Sequence, residues 1–384
     1  MISMHTINVY YPNKLSIGAG CRAEFSKDVS GMGISRMMVI TIPEIRPTLD
    51  LLFDPLMQAG IKLSIDDSIR TEPGFSDFFR LLELGQKEKP DLVMGIGGGS
   101  ILDVAKLLSA QISNRQTLEA ITGINLLSGR QTKLACMPTT AGTGSEVSPN
   151  AILLDEKDQL KKGIISPHLV PDMVYIDPEL TLSVPPAITA ATGIDAFTHC
   201  LEAYVNKYSH PMIDGFALEG MRLIIGSLEA AILDPDNIKA RSDLAIGSMY
   251  GGMCLGPVNT TAIHALSYPL GSEFHIAHGL SNALLLPYVM EFNLPVAEDR
   301  YAKLATLFGF KTDSSKSQLA ILSIQSVRDL INKCGLPAKL SEIDIPKEAI
   351  PRMAESAMKI QRLLVNNPRE VKTEDALAIY NNAY

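Results

Sequence analysis

The chain has 384 residues, 46% of them apolar, and a net charge of −8, enough apolar material for a sizeable core divided between two domains. An acidic chain with no basic block is a poor partner for nucleic acid or an anionic membrane, and no apolar run is long enough to span a bilayer. The start, MISMHTINVYYPNKL, lacks the basic and apolar stretches of a secretory signal; the five cysteines, Cys21, Cys136, Cys200, Cys254 and Cys334, are scattered and odd in number, as expected of thiols in a reducing cytoplasm.

In chain order, the first element is an apolar strand at 37–41 (MMVIT), followed by a helical pattern reaching residue 60. A second strand at 91–96 (DLVMGI) runs into Gly97, Gly98, Gly99 and Ser100, and the helical pattern ILDVAKLLSA follows. Glycines let backbone approach a phosphate, and the free N–H groups of a helix start attract one; a tight turn without ligand uses the same residues. No Gly-Lys-Ser/Thr follows, which disfavours phosphoryl transfer. A third strand at 133–137 (KLACM) enters PTTAGTGSE at 138–146, where Thr139, Thr140, Thr143 and Ser145 are donors for pyrophosphate, ribose or carboxamide. Lys161 and Lys162 either add positive charge to that site or stay on the surface, and a strand at 173–176 (MVYI) follows.

Strands alternating with helices indicate a parallel α/β sheet. Val184-Pro185-Pro186 marks the boundary. Beyond it the apolar residues fall at helical spacing, as at 187–206, 215–233 and 238–252. The expected organisation is an α/β domain at 1–183 and an all-helical domain at 184–384.

Four side chains of the second half form a candidate metal site. Asp195 and His199 lie four apart on a helical pattern and share a face. His264 and His278 are 14 apart, about 21 Å on a straight helix, so they meet only if the chain bends; Pro269 and Gly271 are the expected bend. Three imidazoles and one carboxylate suit Fe(II), Zn(II), Co(II) or Ni(II) better than Mg or Ca. A buried, hydrogen-bonded set of histidines is the alternative, and His275 reads as a surface residue. A dinucleotide site in the first domain and a metal site in the second would make an oxidoreductase, with a Lewis acid at the carbonyl and hydride from a nicotinamide.

The chain resembles the iron-dependent (group III) alcohol dehydrogenase family. GGGSILDVAK (97–106), PTTAGTGSE (138–146), ATGIDAFTHCLEAY (191–204) and HALSYPLG…HGLSNALLLPYV (264–289) are similar to its motifs in order and spacing, as is the final NNPREVKTEDALAIYNNAY. The resemblance implies a nucleotide-binding α/β domain and a helical metal-binding domain in a dehydroquinate synthase-like architecture, with a cleft between them. It implies metal ligands Asp195, His199, His264 and His278, holding Fe(II) or sometimes Zn(II) or another divalent ion. It puts the pyrophosphate loop at Gly97, Gly98, Gly99 and Ser100 with Asp103, and nucleotide contacts at Thr139, Thr140, Thr143 and Lys161. Asn150 falls at a substrate-facing place, and a homodimer through strands within 7–16, or a larger homo-oligomer, is expected.

Two positions depart from the family pattern. Tyr268 stands where members commonly have a histidine that helps relay a proton, and a phenol passes protons differently near neutrality. Ile42 stands where many have an Asp that reads the adenosine ribose; without it NADP loses its main obstacle, so NAD and NADP are both open. The expected activity is interconversion of a short primary alcohol or hydroxy-alcohol and its aldehyde (EC 1.1.1.-), on a small molecule and not on nucleic acid or membrane. Rivals are a related reductase such as a maleylacetate, hydroxy-acid or semialdehyde enzyme, a dehydroquinate-synthase-like lyase, and an inactive nucleotide-binding scaffold.

Overall fold

The computed structural model describes residues 5–70, 72–157 and 160–384. They divide into two compact units. One holds Val9–Thr140 and Gly144–Ser183; the other holds 5–8, Ala141–Thr143 and Val184–Tyr384.

The first unit carries strands β1 (Lys14–Ile17), β2 (Arg36–Ile40), β3 (Lys62–Asp66), β4 (Leu92–Gly97), β5 (Gly123–Ile124), β6 (Lys133–Pro138), β7 (Asn150–Asp155), β8 (Leu160–Ile165) and β9 (Met173–Ile176). Its helices are α1 (Glu24–Ser30), α2 (Asp50–Gln58), α3 (Phe75–Glu88), α4 (Gly99–Gln111) and α5 (Leu118–Ile121). Six strands form a parallel sheet in the order β1-β9-β6-β4-β2-β3. Every residue of β4 is buried, which is why it reads as one continuous apolar run and not as an alternation. From β2 the chain passes to β3 on one side and then to β4 on the other. The order therefore reverses between β2 and β4, and in open α/β sheets ligands bind beyond the carboxyl ends of the strands at such a point.

Two features were not expected from the sequence. The pair β7 and β8 is antiparallel and, with β5, makes a separate three-stranded sheet that carries Asn150, Lys161 and Lys162. The N-terminal strand covers only Lys14–Ile17, at the edge of the large sheet beside β9, and residues 5–13 before it belong to no strand. All five cysteines are free thiols, Cys21 half-buried and the rest buried.

The second unit is helical: α6 (Pro186–Val205), α7 (Pro211–Leu233), α8 (Ile238–Leu255), α9 (Ala262–Phe274), α10 (His278–Leu307), α11 (Lys316–Lys333), α12 (Ile350–Ala357), α13 (Gln361–Leu364) and α14 (Thr373–Asn382). Pro186 opens α6 at its first turn, where a missing N–H is harmless. Helix α6 is apolar around most of its girth and buried from Gly193 to Val205, because α7, α8 and α10 surround it. Its polar exceptions, Asp195, Thr198, His199 and Glu202, therefore need partners inside the unit. Among the described residues no helix is long and apolar enough to cross a membrane.

Candidate metal centre and nucleotide loops

The bend that joins His264 to His278 lies elsewhere than expected. Helix α9 continues through Pro269 and Gly271 and ends at His275, which takes the left-handed conformation (φ 56°). Its N–H bonds to the Gly271 carbonyl and that of Ile276 to the Leu270 carbonyl, an ending of the αL kind. His278 then opens α10. His275 is exposed and is not one of the four clustered donors.

Gly279 sets how closely α10 approaches α6. A side chain there would collide with the Ala191 carbonyl and come within 3.3 Å of Asp195 Cβ. Its absence lets α10 lie against the turn of α6 that carries Asp195.

The four expected ligands converge. One donor atom from each of Asp195, His199, His264 and His278 lies within 4.8 Å of the others. His264 Nε2 is 3.0 Å from His199 Nε2 and 3.7 Å from Asp195 Oδ1. His278 Nε2 is 3.6 Å from the same oxygen. Donors around one first-row ion, bound at about 2.0–2.2 Å, stand about 3.0–3.5 Å apart, so the spacing fits a single divalent cation.

Two further residues complete the site, and the sequence reading passed over both. Glu202, one turn beyond His199 on α6, is wholly buried. Its Oε2 accepts from His264 Nδ1 at 2.5 Å. Its Oε1 accepts from the Thr261 hydroxyl at 2.7 Å, the Ile263 N–H at 2.7 Å and the His264 N–H at 3.4 Å. A carboxylate only accepts, so the His264 proton sits on Nδ1 and the Nε2 lone pair is turned toward His199. A cation bound by both Nε2 atoms, 3.0 Å apart, would take up the two lone pairs. Asn282, one turn after His278, donates from Nδ2 to Asp195 Oδ1 at 2.7 Å. Its Oδ1 is buried without a partner among the described residues. The signal for Glu202 was its spacing: Asp195, His199 and Glu202 fall on one helical stripe.

Electrostatics agree with this ligand set. Burial alone would raise the Asp195 carboxyl, but the imidazoles of His199, His278 and His264 and the Asn282 amide hold it below its usual range. Burial pushes His199 down, with His264 adding to the effect, which favours the neutral imidazole a metal needs. Burial would also raise Glu202, yet the charge and hydrogen bond of His264 keep it low.

Of the expected nucleotide residues, 97–100 lie at the carboxyl end of β4, at the switch point of the large sheet. Gly97 ends β4, Gly98 is extended, and α4 begins at Gly99 with no side chain capping its N–H groups. A Cβ on Gly97 would lie 2.7 Å from Ile101 Cβ, so glycine is what allows the strand to turn so tightly into α4. The Thr139 N–H bonds to the Gly97 carbonyl at 3.0 Å, which sets the second loop beside the first. Thr140 Oγ1 would lie 3.4 Å from a Cβ on Gly98. Thr41, at the carboxyl end of β2, has a buried hydroxyl without a partner among the described residues; Ile42 follows it, half-buried against the apolar core of this unit.

Some expected contacts are turned inward. Asp103 accepts from Ser145 Oγ and, at 2.9 Å, from the Ile152 N–H; Ser145 is thus no free donor at the loop. Lys106, fully buried and missed from the sequence, donates to the Ser145 carbonyl at 2.8 Å and to the Asn150 carbonyl. Burial pushes Lys106 down and Asp103 up, each opposed by the other's charge. Together they tie α4 to the segment 145–152. Lys161 pairs with Glu72 at 2.6 Å and Lys162 with Asp155 at 4.0 Å. Asn150 Oδ1 is buried without a partner among the described residues. Thr143 belongs to the helical unit with Ala141 and Gly142.

Comparison with known proteins adds independent findings. Residues 12–178 match the family model described as iron-containing alcohol dehydrogenase, and 189–384 match the C-terminal model of the same family. The chain is 33% identical to the long-chain-alcohol dehydrogenase 1 of Geobacillus thermodenitrificans, over 99% of this chain and 98% of that one. The structure of an alcohol dehydrogenase from Oenococcus oeni superposes with a TM-score of 0.95 at 29% identity, covering 99% and 100% of the two chains. A sulfoacetaldehyde reductase from Bifidobacterium kashiwanohense in complex with NAD+ gives 0.87 at 26% identity, over 99% of each chain.

Proposed function

Because this chain belongs to the iron-containing alcohol dehydrogenase family and is an alcohol–aldehyde oxidoreductase, we propose that it interconverts a short primary alcohol, or hydroxy-alcohol, and its aldehyde in a metal-dependent, NAD(P)-linked reaction. The observation that carries the reading is the cluster of Asp195, His199, His264 and His278. A divalent ion, Fe(II) or alternatively Zn(II), supplies Lewis acidity toward the substrate oxygen, and the nicotinamide supplies or takes up hydride.

The chain's own residues divide the remaining work. Glu202 holds the His264 proton on Nδ1, and Asn282 orients the Asp195 carboxylate. The Gly97–Ser100 turn and the uncapped start of α4 offer N–H groups to the pyrophosphate. The hydroxyls of Thr139, Thr140 and Thr143 and the Lys161 ammonium are the further nucleotide contacts, while Asp103 and Lys106 set the loop that carries them. Tyr268, one turn after His264 on α9, offers a hydroxyl to the substrate proton. The buried Asn150 Oδ1 has no donor among the described residues, which supports its use by a substrate hydroxyl. Ile42 sets no carboxylate against a 2′-phosphate, so NADPH is as open to this chain as NADH.

The test uses protein purified anaerobically and reconstituted with Fe(II) or Zn(II), with nicotinamide absorbance followed on short aldehydes and hydroxyaldehydes. Metal-dependent oxidation of NADH or NADPH is the expected result. His264→Ala should lose both retained metal and turnover; a metal-free, fully active variant would sink the assignment.

A further inference from the structure

The helical unit has seven arginines, Arg222, Arg241, Arg300, Arg328, Arg352, Arg362 and Arg369. Four are matched to carboxylates: Arg222 with Glu219, Arg300 with Asp214, Arg328 with Glu291 and Arg352 with Glu273. Arg241 is buried against the Thr189 hydroxyl and the carbonyls of Pro235 and Val184, and Arg369 donates to the Phe292 carbonyl. Arg362 differs from all of these. Among the described residues its guanidinium has one hydrogen-bond acceptor, the Tyr268 hydroxyl at 3.0 Å. A guanidinium carries five N–H donors in a planar fork suited to an oxyanion. Leaving it without an anion, half-buried, in a chain of net charge −8 is costly unless something else supplies the negative charge.

Its position says what that is. The Arg362 guanidinium carbon lies 5.8 Å from the Tyr268 ring centroid. The Tyr268 ring in turn lies 6.1 Å from the ring of the ligand His278. Guanidinium, phenol and metal ligand thus succeed one another across the width of a small molecule. The Tyr268 hydroxyl holds one arm of the fork, and the other arms have no hydrogen-bond acceptor among the described residues.

We propose that Arg362, oriented by Tyr268, binds an oxyanion on the substrate, so that the preferred aldehyde carries a carboxylate or sulfonate a few carbons from its carbonyl. The inference rests on the reading of Asp195, His199, His264 and His278 as the reaction centre. Arg362 lies outside every segment that carried the metal and nucleotide residues, and only the fold returns it to Tyr268.

The experiment compares kcat/KM of the metal-loaded enzyme for chain-matched pairs. The pairs are 4-oxobutanoate against butanal and 2-oxoethanesulfonate against propanal, which separate carboxylate from sulfonate. A desolvated charge-assisted pair supports a preference of about 10- to 100-fold for the anionic member, carried mainly by KM. Arg362→Leu should collapse that ratio toward one, and Arg362→Lys should restore part of it, because an ammonium keeps the charge but not the fork. Tyr268→Phe, which removes the orienting oxygen and keeps the ring, should lower the ratio less than Arg362→Leu does. Should Arg362→Leu fail to fold, wild-type inhibition by butanoate against butanamide decides: tighter butanoate supports the oxyanion site, and equal inhibition overturns it. A wild-type ratio near one, or a ratio unchanged in a folded Arg362→Leu variant, overturns the proposal while leaving the oxidoreductase reading intact. If no aldehyde of either kind is turned over, both fall.

Discussion

Glu202→Gln places an amide in a pocket built for a carboxylate, and the structure allows only two ways to seat it. With the amide oxygen in the Oε1 place, the Thr261 hydroxyl and the Ile263 and His264 N–H groups keep their acceptor, but the NH2 group then faces His264 Nδ1. Two donors cannot meet, so the imidazole must move its proton to Nε2, the atom that ligation needs. With the oxygen in the Oε2 place, His264 keeps its tautomer, and three buried donors face an NH2 group instead. The first arrangement loses one hydrogen bond to a charged acceptor and the second loses up to three, so the first prevails. The penalty on metal binding is then about 1.5–3 kcal/mol, or roughly 10- to 100-fold in Kd, with little loss of fold stability. Glu202→Ala, by contrast, strands several buried donors at about 1–3 kcal/mol each and should also lower Tm. Metal affinity is read directly, by competition for Zn(II) with a chromophoric chelator, so turnover does not enter. A Glu202→Gln protein that binds Zn(II) within about twofold of wild type would refute the tautomer argument.

Gly279→Ala adds a methyl group where the Ala191 backbone and Asp195 stand. Helix α10 must shift, at about 1–3 kcal/mol, and chelator competition should show weakened metal binding beside a lower Tm; unchanged values of both would mean the helices are not in that contact. Ile42→Asp introduces a carboxylate after β2, and the NADH:NADPH ratio of kcat/KM should rise by about tenfold or more; an unchanged ratio would show that this side chain does not face the ribose. Glu146 is buried, and burial pushes its carboxyl from 4.5 up to about 7. A raised carboxyl favours the protonated folded state, so stability is fully present below about pH 4.5 and declines as pH rises to about 7, by about 3 kcal/mol in all. Glu146→Gln lacks that penalty, so its Tm advantage over wild type should grow from about pH 5 to pH 8; a pH-independent difference would contradict the assigned ionisation.

Much of the metal set was legible because it is partly local. Asp195 and His199 share a helical stripe by spacing alone, and His264 and His278 stand out as imidazoles in apolar surroundings. The bend between the two was legible only as a need. Pro269 and Gly271 were the local candidates, but packing keeps α9 helical through both, and the left-handed His275 makes the turn. Lys106 and Asp103 show the opposite limit. Their spacing is visible in DVAK, yet only the antiparallel pair β7 and β8, which carried no clear local signature, reveals that both point at the segment 145–152.

The sequence by itself determined the element types, the parallel sheet, the helical second half and which four donor side chains to look for together. These follow from periodicity, turn residues and donor chemistry, all short-range properties of the chain. The tertiary structure alone decided which atoms complete the site. Glu202 acts on His264 across 62 positions, Asn282 on Asp195 across 87, and Arg362 on Tyr268 across 94. No local pattern encodes such pairs, because they arise from how whole helices are packed around α6 and not from the residues beside them.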